Sequence, residues 1–314
     1  MKLYHIALLL SLIVIHSCLP SFVYHKDKKV TVELNGIEYR LMSPPNTIEL
    51  AQNYFVDQTE ISNYHWSEYM YWTKTVFGDK SEQYLSIIPD QYVWCTDTLQ
   101  RYPNFDEYYS NYTVYGNFPA VGITFEQANK YSKWRSDRVY EMTLIKTKNL
   151  ENNYELDSLN YFTIEKYVNG QYFNIQPNLN VLVPIYTLPS IEQWESYATN
   201  IEDNKKDISL NIRNKTQEFA TYENWLKDSS IVEMVDLRKY FDPKTELIHT
   251  IGNVSEMTLT KGISKGGSWK NKLENCTITN EFIYTKPTNW IGFRNVCSYY
   301  PASNWVKKSV EFNR

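Results

Sequence analysis

Apolar and polar residues alternate through Val30, Val32 and Leu34, pause at Asn35-Gly36, and alternate again through Ile37, Tyr39 and Leu41. A period of two on both sides of an Asn-Gly pair predicts a β-hairpin, because these two residues accept the positive φ angles of a two-residue turn. Phe55 to Glu60 reads as a further strand. The period then changes. From Ser62 to Phe77, the residues Trp66, Tyr69, Met70 and Thr73 recur at helical spacing, and Ser62 stands where an N-cap belongs. This aromatic stripe reads as core packing and not as a cofactor box. A second helix is predicted over Phe125 to Tyr140. Thr124 caps it, Glu126 and Gln127 occupy its first turn, and Ala128, Tyr131 and Trp134 line one side. A third opens at Pro189-Ser190-Ile191-Glu192-Gln193-Trp194, with Ser190 as its cap.

Between these elements the periodicity fails. Ile88 to Phe118 mixes Pro, Asn, Asp and many Tyr residues and reads as an ordered insertion held by aromatic packing, with bounds near 78–117. A second insertion, near 141–182, is polar and rich in Asn. Residues 200–245 are charged and match no template. There is no internal repeat and no low-complexity tract. Short strands and short helices separated by long loops predict an irregular mixed fold, in place of the regular alternation of a parallel α/β sheet.

The N-terminus has its own pattern. Met1-Lys2-Leu3 leads into an apolar run from Ile6 to Ile15, followed by His16, Ser17 and Cys18. A basic start, a short apolar core and a small residue before the cut make a secretory signal, and the run is shorter than the roughly 20 apolar residues of a membrane-spanning helix. Ile15-His16-Ser17-Cys18 resembles a bacterial lipobox, in which the cysteine becomes the lipidated first residue. An ordinary signal peptide that happens to contain a cysteine is the alternative. Residues 1–17 are thus expected to be a signal peptide, 18–29 a lipidated cysteine and tether, 30–300 one large domain and 301–314 a tail.

Composition narrows the function classes. The chain carries 27 Tyr and 9 Trp, enough large amphipathic side chains to build a core without long regular elements. A net charge of −4 with no basic stripe argues against nucleic acid as a partner. After Cys18 there are three cysteines, Cys95, Cys276 and Cys297. In an exported chain an odd number allows at most one internal bridge. Cys276 with Cys297 is the pair closest in sequence; three buried thiols are the alternative.

Six stretches in order resemble the formylglycine-generating enzyme family, the sulfatase-modifying factors. They are Tyr54 to Asn63 (YFVDQTEISN), Phe118 to Phe125 (FPAVGITF) with Ala128, Tyr131 and Trp134-Arg135, Leu188 to Glu195 (LPSIEQWE), Gly252 to Glu256 (GNVSE), Gly266-Gly267-Ser268-Trp269, and Gly292-Phe293-Arg294. The resemblance implies a mixed α/β (α+β) domain with little regular secondary structure, related to C-type lectins. In it, Trp194, Gly266, Gly267, Trp269, Gly292 and Arg294 hold the fold, with Arg294 as a buried multi-donor hub.

The enzymes of that family resemble copper oxidases with two active-site cysteines, because a pair of soft thiolates suits Cu(I). The first cysteine lies two residues after the aromatic of the Gly-Gly-Ser motif, and the second lies five residues later. Here those positions are Asn271 and Cys276. One thiolate and an amide do not make the two-sulfur site, so no catalytic residue is assigned and Cys276 is a vestige. Beyond the signal, His25, His65 and His249 are too few and too scattered to indicate a zinc or iron centre. The chain has no phosphate loop, no Gly-x-Ser-x-Gly elbow and no Cys-x-x-Cys pair. The family resemblance also implies calcium at the Gly-Asn-Val-Trp-Glu block, which maps onto Gly252, Val254 and Glu256, with His249 where an Asn ligand would stand. A Glu256 that pairs locally is the alternative.

One branch fits the whole pattern. Ile88-Pro89-Asp90-Gln91-Tyr92-Val93-Trp94-Cys95-Thr96-Asp97 resembles an insertion in the gliding-motility and type IX secretion lipoproteins, which carry this domain without its cysteine pair. The resemblance implies a non-catalytic protein of the outer membrane, attached through a lipid anchor and packed against protein subunits of an envelope assembly. A lectin-like module for glycans or peptides, and an enzyme with altered chemistry, are the other two readings. Asp97-Thr98-Leu99 and Asp157-Ser158-Leu159 also resemble a bacterial O-glycosylation signal; an intact mass without added hexoses would reject that.

Overall fold

The computed structural model describes residues 28–95, 109, 115–152, 157–203, 237, 247–271 and 275–303. The signal, Cys18, Asp97-Thr98-Leu99, nearly all of 204–246 and residues 304–314 of the tail lie outside the described residues. Among the described residues no helix is long and apolar enough to cross a membrane.

The predicted hairpin is formed by β1 (Lys29–Leu34) and β2 (Ile37–Met42), with Leu34 opposite Ile37 and positive φ at both Asn35 and Gly36. Val30 and Val32 point inward, onto Phe55, Leu182, Tyr186 and Tyr299. Strand β3 (Thr47–Ala51) and β4 (Tyr54–Asp57) begin a second sheet, which is completed by β5 (Leu182–Thr187) and by β10 (Val296–Pro301), in the order β3-β4-β10-β5. The expected strand over Phe55 to Glu60 therefore stops at Asp57. Its cause is visible at the next residues: Gln58 and Ile61 donate their amides to Asn46 and Phe293, in different parts of the chain, and Glu60 turns inward.

The three predicted helices are present, and each starts with a reciprocal cap. In α1 (Asn63–Phe77), Ser62 Oγ accepts from His65 N while His65 Nδ1 accepts from Ser62 N. After the four-residue α2 (Glu82–Leu85) comes α3 (Phe125–Lys146), where Thr124 and Gln127 make the same exchange at 3.1 and 2.8 Å. Ser190 and Gln193 repeat it at 3.1 and 2.9 Å, at the head of α5 (Ile191–Asp203). Each such cap contributes about 1 kcal/mol. Trp66 of α1 stacks on Tyr131 of α3 at 5.5 Å and meets Phe293 edge-on. The two helices thereby share one aromatic core with Phe293, Met257 and Ile291.

Helix α3 runs to Lys146, six residues past the predicted end, because Tyr140 and Leu144 continue its buried face. They face a small core that the polar composition of the second insertion concealed. Phe162, Tyr167 and Tyr172 fill it around α4 (Ile164–Val168), and Asp137 on α3 caps this helix by accepting from Ile164 N at 2.8 Å. The first insertion is also anchored. Asp90 N donates to Gly122 O, and Tyr109 OH donates to Pro119 O at 2.6 Å.

A third sheet, β8-β7-β6-β9, consists of β6 (Ser255–Met257), β7 (Ile263–Lys265), β8 (Glu281–Ile283) and β9 (Ile291–Gly292). Strands β6 and β9 run parallel. The result is a mixed α/β domain with short strands, as expected from the sequence, while α1 and α3 are longer than the short helices expected.

Candidate functional site

Four of the six sequence stretches meet at one buried ion cluster. Arg294, fully buried just after β9, donates Nη1 to the carbonyls of Asp57 and Gln58 and Nη2 to the carbonyl of Ile248. Its Nε and Nη2 both lie 2.9 Å from Glu256 Oε1 on β6. The other oxygen, Glu256 Oε2, accepts from Trp194 Nε1 at 2.8 Å and from Tyr197 OH at 3.0 Å, one turn apart on α5. Arg294 is the multi-donor hub expected from the sequence. Trp194 is more than filler, because its indole orients the carboxylate.

Glu60 is the partner that sequence reasoning missed. It is fully buried, Oε1 accepts from Asn253 Nδ2 at 3.0 Å, and Oε2 lies 3.9 Å from Arg294 Nη2. That distance is the limit of an ion pair, and the guanidinium is already committed to Glu256. Burial raises the Glu60 pKa to about 8; Arg294 opposes this and the neighbouring Glu256 charge adds to it. Burial thus favours the protonated form of Glu60. No local signal marks it: Glu60 stands among the polar residues Asp57, Gln58, Thr59, Ser62 and Asn63.

A carboxyl whose folded value is raised contributes stability that is complete below its unfolded value, near 4.5, and that is lost as pH rises through about 8. Glu60→Gln is expected to remove this loss. Between pH 5 and 8 the variant should gain stability relative to wild type, by at most about 1.4 kcal/mol per pH unit. Urea unfolding of both proteins at several pH values checks it; parallel curves would contradict the protonated assignment.

Glu256 does not fit calcium. An ionised carboxylate offers about four acceptor directions, and the Arg294, Trp194 and Tyr197 contacts occupy all of them. Gly252 turns its amide to Gly266 O, and Val254 is buried in apolar packing. His249 holds a positive φ beside this block. Among the described residues, no group of three or more His, Cys, Asp or Glu side chains could hold a metal.

The family's cysteine positions lie on the turn after β7. Gly266 and Gly267 both have positive φ. A methyl on Gly267 would stand 2.4 Å from Cys276 Sγ, so the thiol is seated directly on the glycine. Asn271 is engaged within its own turn. Its Oδ1 accepts from Ser268 N at 2.9 Å and from Ser268 Oγ at 2.7 Å, closing the turn back onto the Gly-Gly-Ser motif. Cys276 is buried, its S–H directed at Ser268 O at 4.0 Å, and burial pushes its thiol up to about 11. One thiol and an amide oxygen already engaged by its own turn are a poorer donor set for soft copper(I) than two thiolates. The first insertion covers this turn. Trp94 stacks against Trp269 at 6.4 Å, Tyr109 tilts on Trp94 at 4.8 Å, and Trp269 Nε1 donates to Asn289 O. Gly292 approaches Val254 too closely to carry a side chain.

The expected Cys276–Cys297 bridge is not formed. Cys297 sits in β10 facing the hairpin core, Cys276 sits on Gly267, and both are buried thiols. Cys95 is exposed, so the alternative of three buried thiols holds for two. A thiol reagent at pH 7.5 is expected to label Cys95 quickly in the native protein, and Cys276 and Cys297 only after unfolding. Peptide mapping of native labelling at Cys276 as fast as at Cys95 would contradict the burial. At the second candidate modification signal, Ser158 lies on an exposed turn closed by Asp157 Oδ1, which accepts from Leu159 N and Asn160 N.

With this geometry in hand, comparisons with known proteins are specific at the family level. A family model of the sulfatase-modifying factor enzyme 1-like domain matches residues 21–299. No curated protein matches. Among solved structures, Treponema denticola variable protein 1 is similar at 14% identity and a TM-score of 0.40, over 86% of this chain and 99% of that one. CarF is similar at 13% identity and a TM-score of 0.34, over 78% of this chain and 86% of its own.

Proposed function

The chain belongs to the sulfatase-modifying factor enzyme 1-like family, and we propose that in this member the domain is a non-catalytic, lipid-anchored component of an outer-membrane assembly of the gliding-motility or type IX secretion kind. The observation that carries the reading is Asn271. At the position of the first family cysteine its side-chain oxygen accepts from Ser268 N and Oγ, which supports a structural role for the turn. Two further features support it. The lipobox-like segment at Cys18 supplies an anchor, and each buried CH₂ of an acyl chain adds about 0.8 kcal/mol of membrane affinity. The insertion that resembles the one in those lipoproteins packs Trp94 and Tyr109 over Trp269, next to the cysteine positions.

The partners in this reading are protein subunits that bury Tyr and Trp, the residue types interfaces concentrate. Tyr71 and Tyr92 are the most exposed aromatics among the described residues, at 64% and 65%. The experiment is gentle detergent extraction of the native lipoprotein, affinity purification and mass spectrometry. Recurrent stoichiometric membrane or periplasmic subunits are expected. A protein recovered alone, or with a sulfatase only, would contradict the reading.

A further inference from the structure

The second insertion contains a small cavity of about 120 Å³ that the family motifs do not reach, lined by Leu159, Asn160, Lys166, Gln171, Tyr172 and Phe173. It lies on the turn before α4, on α4 itself and on the turn after it. We propose that this cavity is a subsite for one neutral sugar ring of a glycan. The proposal is independent of the assembly reading, because it uses none of the residues around Asn271.

Three observations carry it. First, Phe173 holds a left-handed backbone, φ 48°, and Asn174 follows at 55°. A bulky residue is strained there, and only a few positive-φ residues are large and apolar. The strain does not serve burial, since Phe173 is 47% exposed, with its ring edge-to-face on Tyr172 at 4.8 Å. Strain that presents an apolar ring to solvent at the mouth of a cavity points to a ligand face. Leu159, 81% exposed, lines the same cavity.

Second, a hydrogen-bonding group is fixed in place. Lys166 Nζ lies 3.6 Å from the centre of the Tyr161 ring and donates to Leu159 O and Tyr161 O at 3.2 and 3.3 Å. Two carbonyls and a ring face thus fix the ammonium beside the cavity, where a ligand oxygen can compete for one of its three N–H donors. Asn160, held by Asp157 Oδ2 at 2.8 Å, and Gln171 bring amides to the same space.

Third, a carboxylate stands beside the lining. Asp157 Oδ2 accepts from Asn160 Nδ2 at 2.8 Å. A negative charge at the rim disfavours an acidic ligand. An apolar ring with amide and N–H groups at its edge matches a pyranose, which has one C–H face and hydroxyls around its rim. The volume suits a single ring and is well below the roughly 300 Å³ at which drug-sized sites begin.

The test is saturation-transfer NMR on the full chain in a detergent without a sugar headgroup. The probes are neutral hexoses, deoxyhexoses, pentoses and N-acetylhexosamines, with glucuronic acid as the acidic comparison. Transfer to at least one neutral sugar is expected, reduced at least five-fold by Phe173→Gly and by Lys166→Gln. Phe173→Gly relieves the backbone strain, so an unchanged or higher melting temperature shows that its loss of binding is not unfolding. Transfer to no neutral sugar, transfer to glucuronic acid alone, or transfer that survives both substitutions would overturn the proposal.

Discussion

Arg294→Ala is expected to destabilise the fold by about 3–5 kcal/mol, enough to leave the purified protein largely unfolded at 37 °C. The side chain is fully buried and donates to three carbonyls from two separated segments, as well as to Glu256. Removing it orphans those acceptors and leaves Glu256 as a buried charge facing only Trp194 and Tyr197. Lysine is not a conservative replacement, because its single ammonium cannot span the carbonyls of Asp57 and Ile248 while also meeting Glu256. Circular dichroism melts of wild type, Arg294→Ala and Arg294→Lys decide this. A loss under about 1 kcal/mol would mean that the cluster is not a hub. A double variant with Glu256→Gln should recover part of the loss, since the orphaned charge is then gone.

Gly266→Ala is the second large effect, expected at about 2–3 kcal/mol. Its φ of 86° is a conformation that L side chains rarely adopt, and a methyl there would lie 2.5 Å from Thr250 O and 3.0 Å from the Trp194 ring. The first neighbour is backbone and cannot rotate away. The second belongs to the tryptophan that fixes Glu256, so the strain reaches the ion cluster. Gly36→Ala, at a positive φ with open space around it, is the control and should cost only the backbone term. Equal losses for the two variants, by urea unfolding, would contradict the close packing of Gly266.

Local elements were legible because their signals are local. Asn35-Gly36 stood for a turn, and Ser62, Thr124 and Ser190 stood for caps, and all four are realised. His65 closes the first capping box in place of the usual Glu or Gln, which the sequence pattern did not anticipate. Sheet order was not legible. Strand β10 enters between β4 and β5, from some 240 residues and some 110 residues away, and no local period encodes such pairings. The second insertion was misjudged for a compositional reason. Its Asn and Gln residues dominate the average, while the buried Phe162, Tyr167 and Tyr172 recur every five residues, which is neither the helical nor the strand period.

Site residues divide in the same way. The motif positions Trp194, Gly266, Gly267, Trp269, Gly292 and Arg294 all proved to be packing or cluster residues, and Arg294 took the role foreseen. Glu60 escaped notice because its partners, Asn253 and Arg294, lie roughly 190 and 230 residues along the chain. Asn271 was recognised only as a replacement. Its use as an acceptor for Ser268 depends on the conformation of the turn, which spacing does not disclose.

The most direct test of the non-catalytic account is to load the protein with copper(I) under reducing conditions and offer it a cysteine peptide of the sulfatase type with oxygen. Mass spectrometry then reads the peptide. The account predicts no stoichiometric copper retention after gel filtration and a peptide that keeps its cysteine. Turnover of the peptide to the aldehyde, abolished by Cys276→Ser, would contradict it.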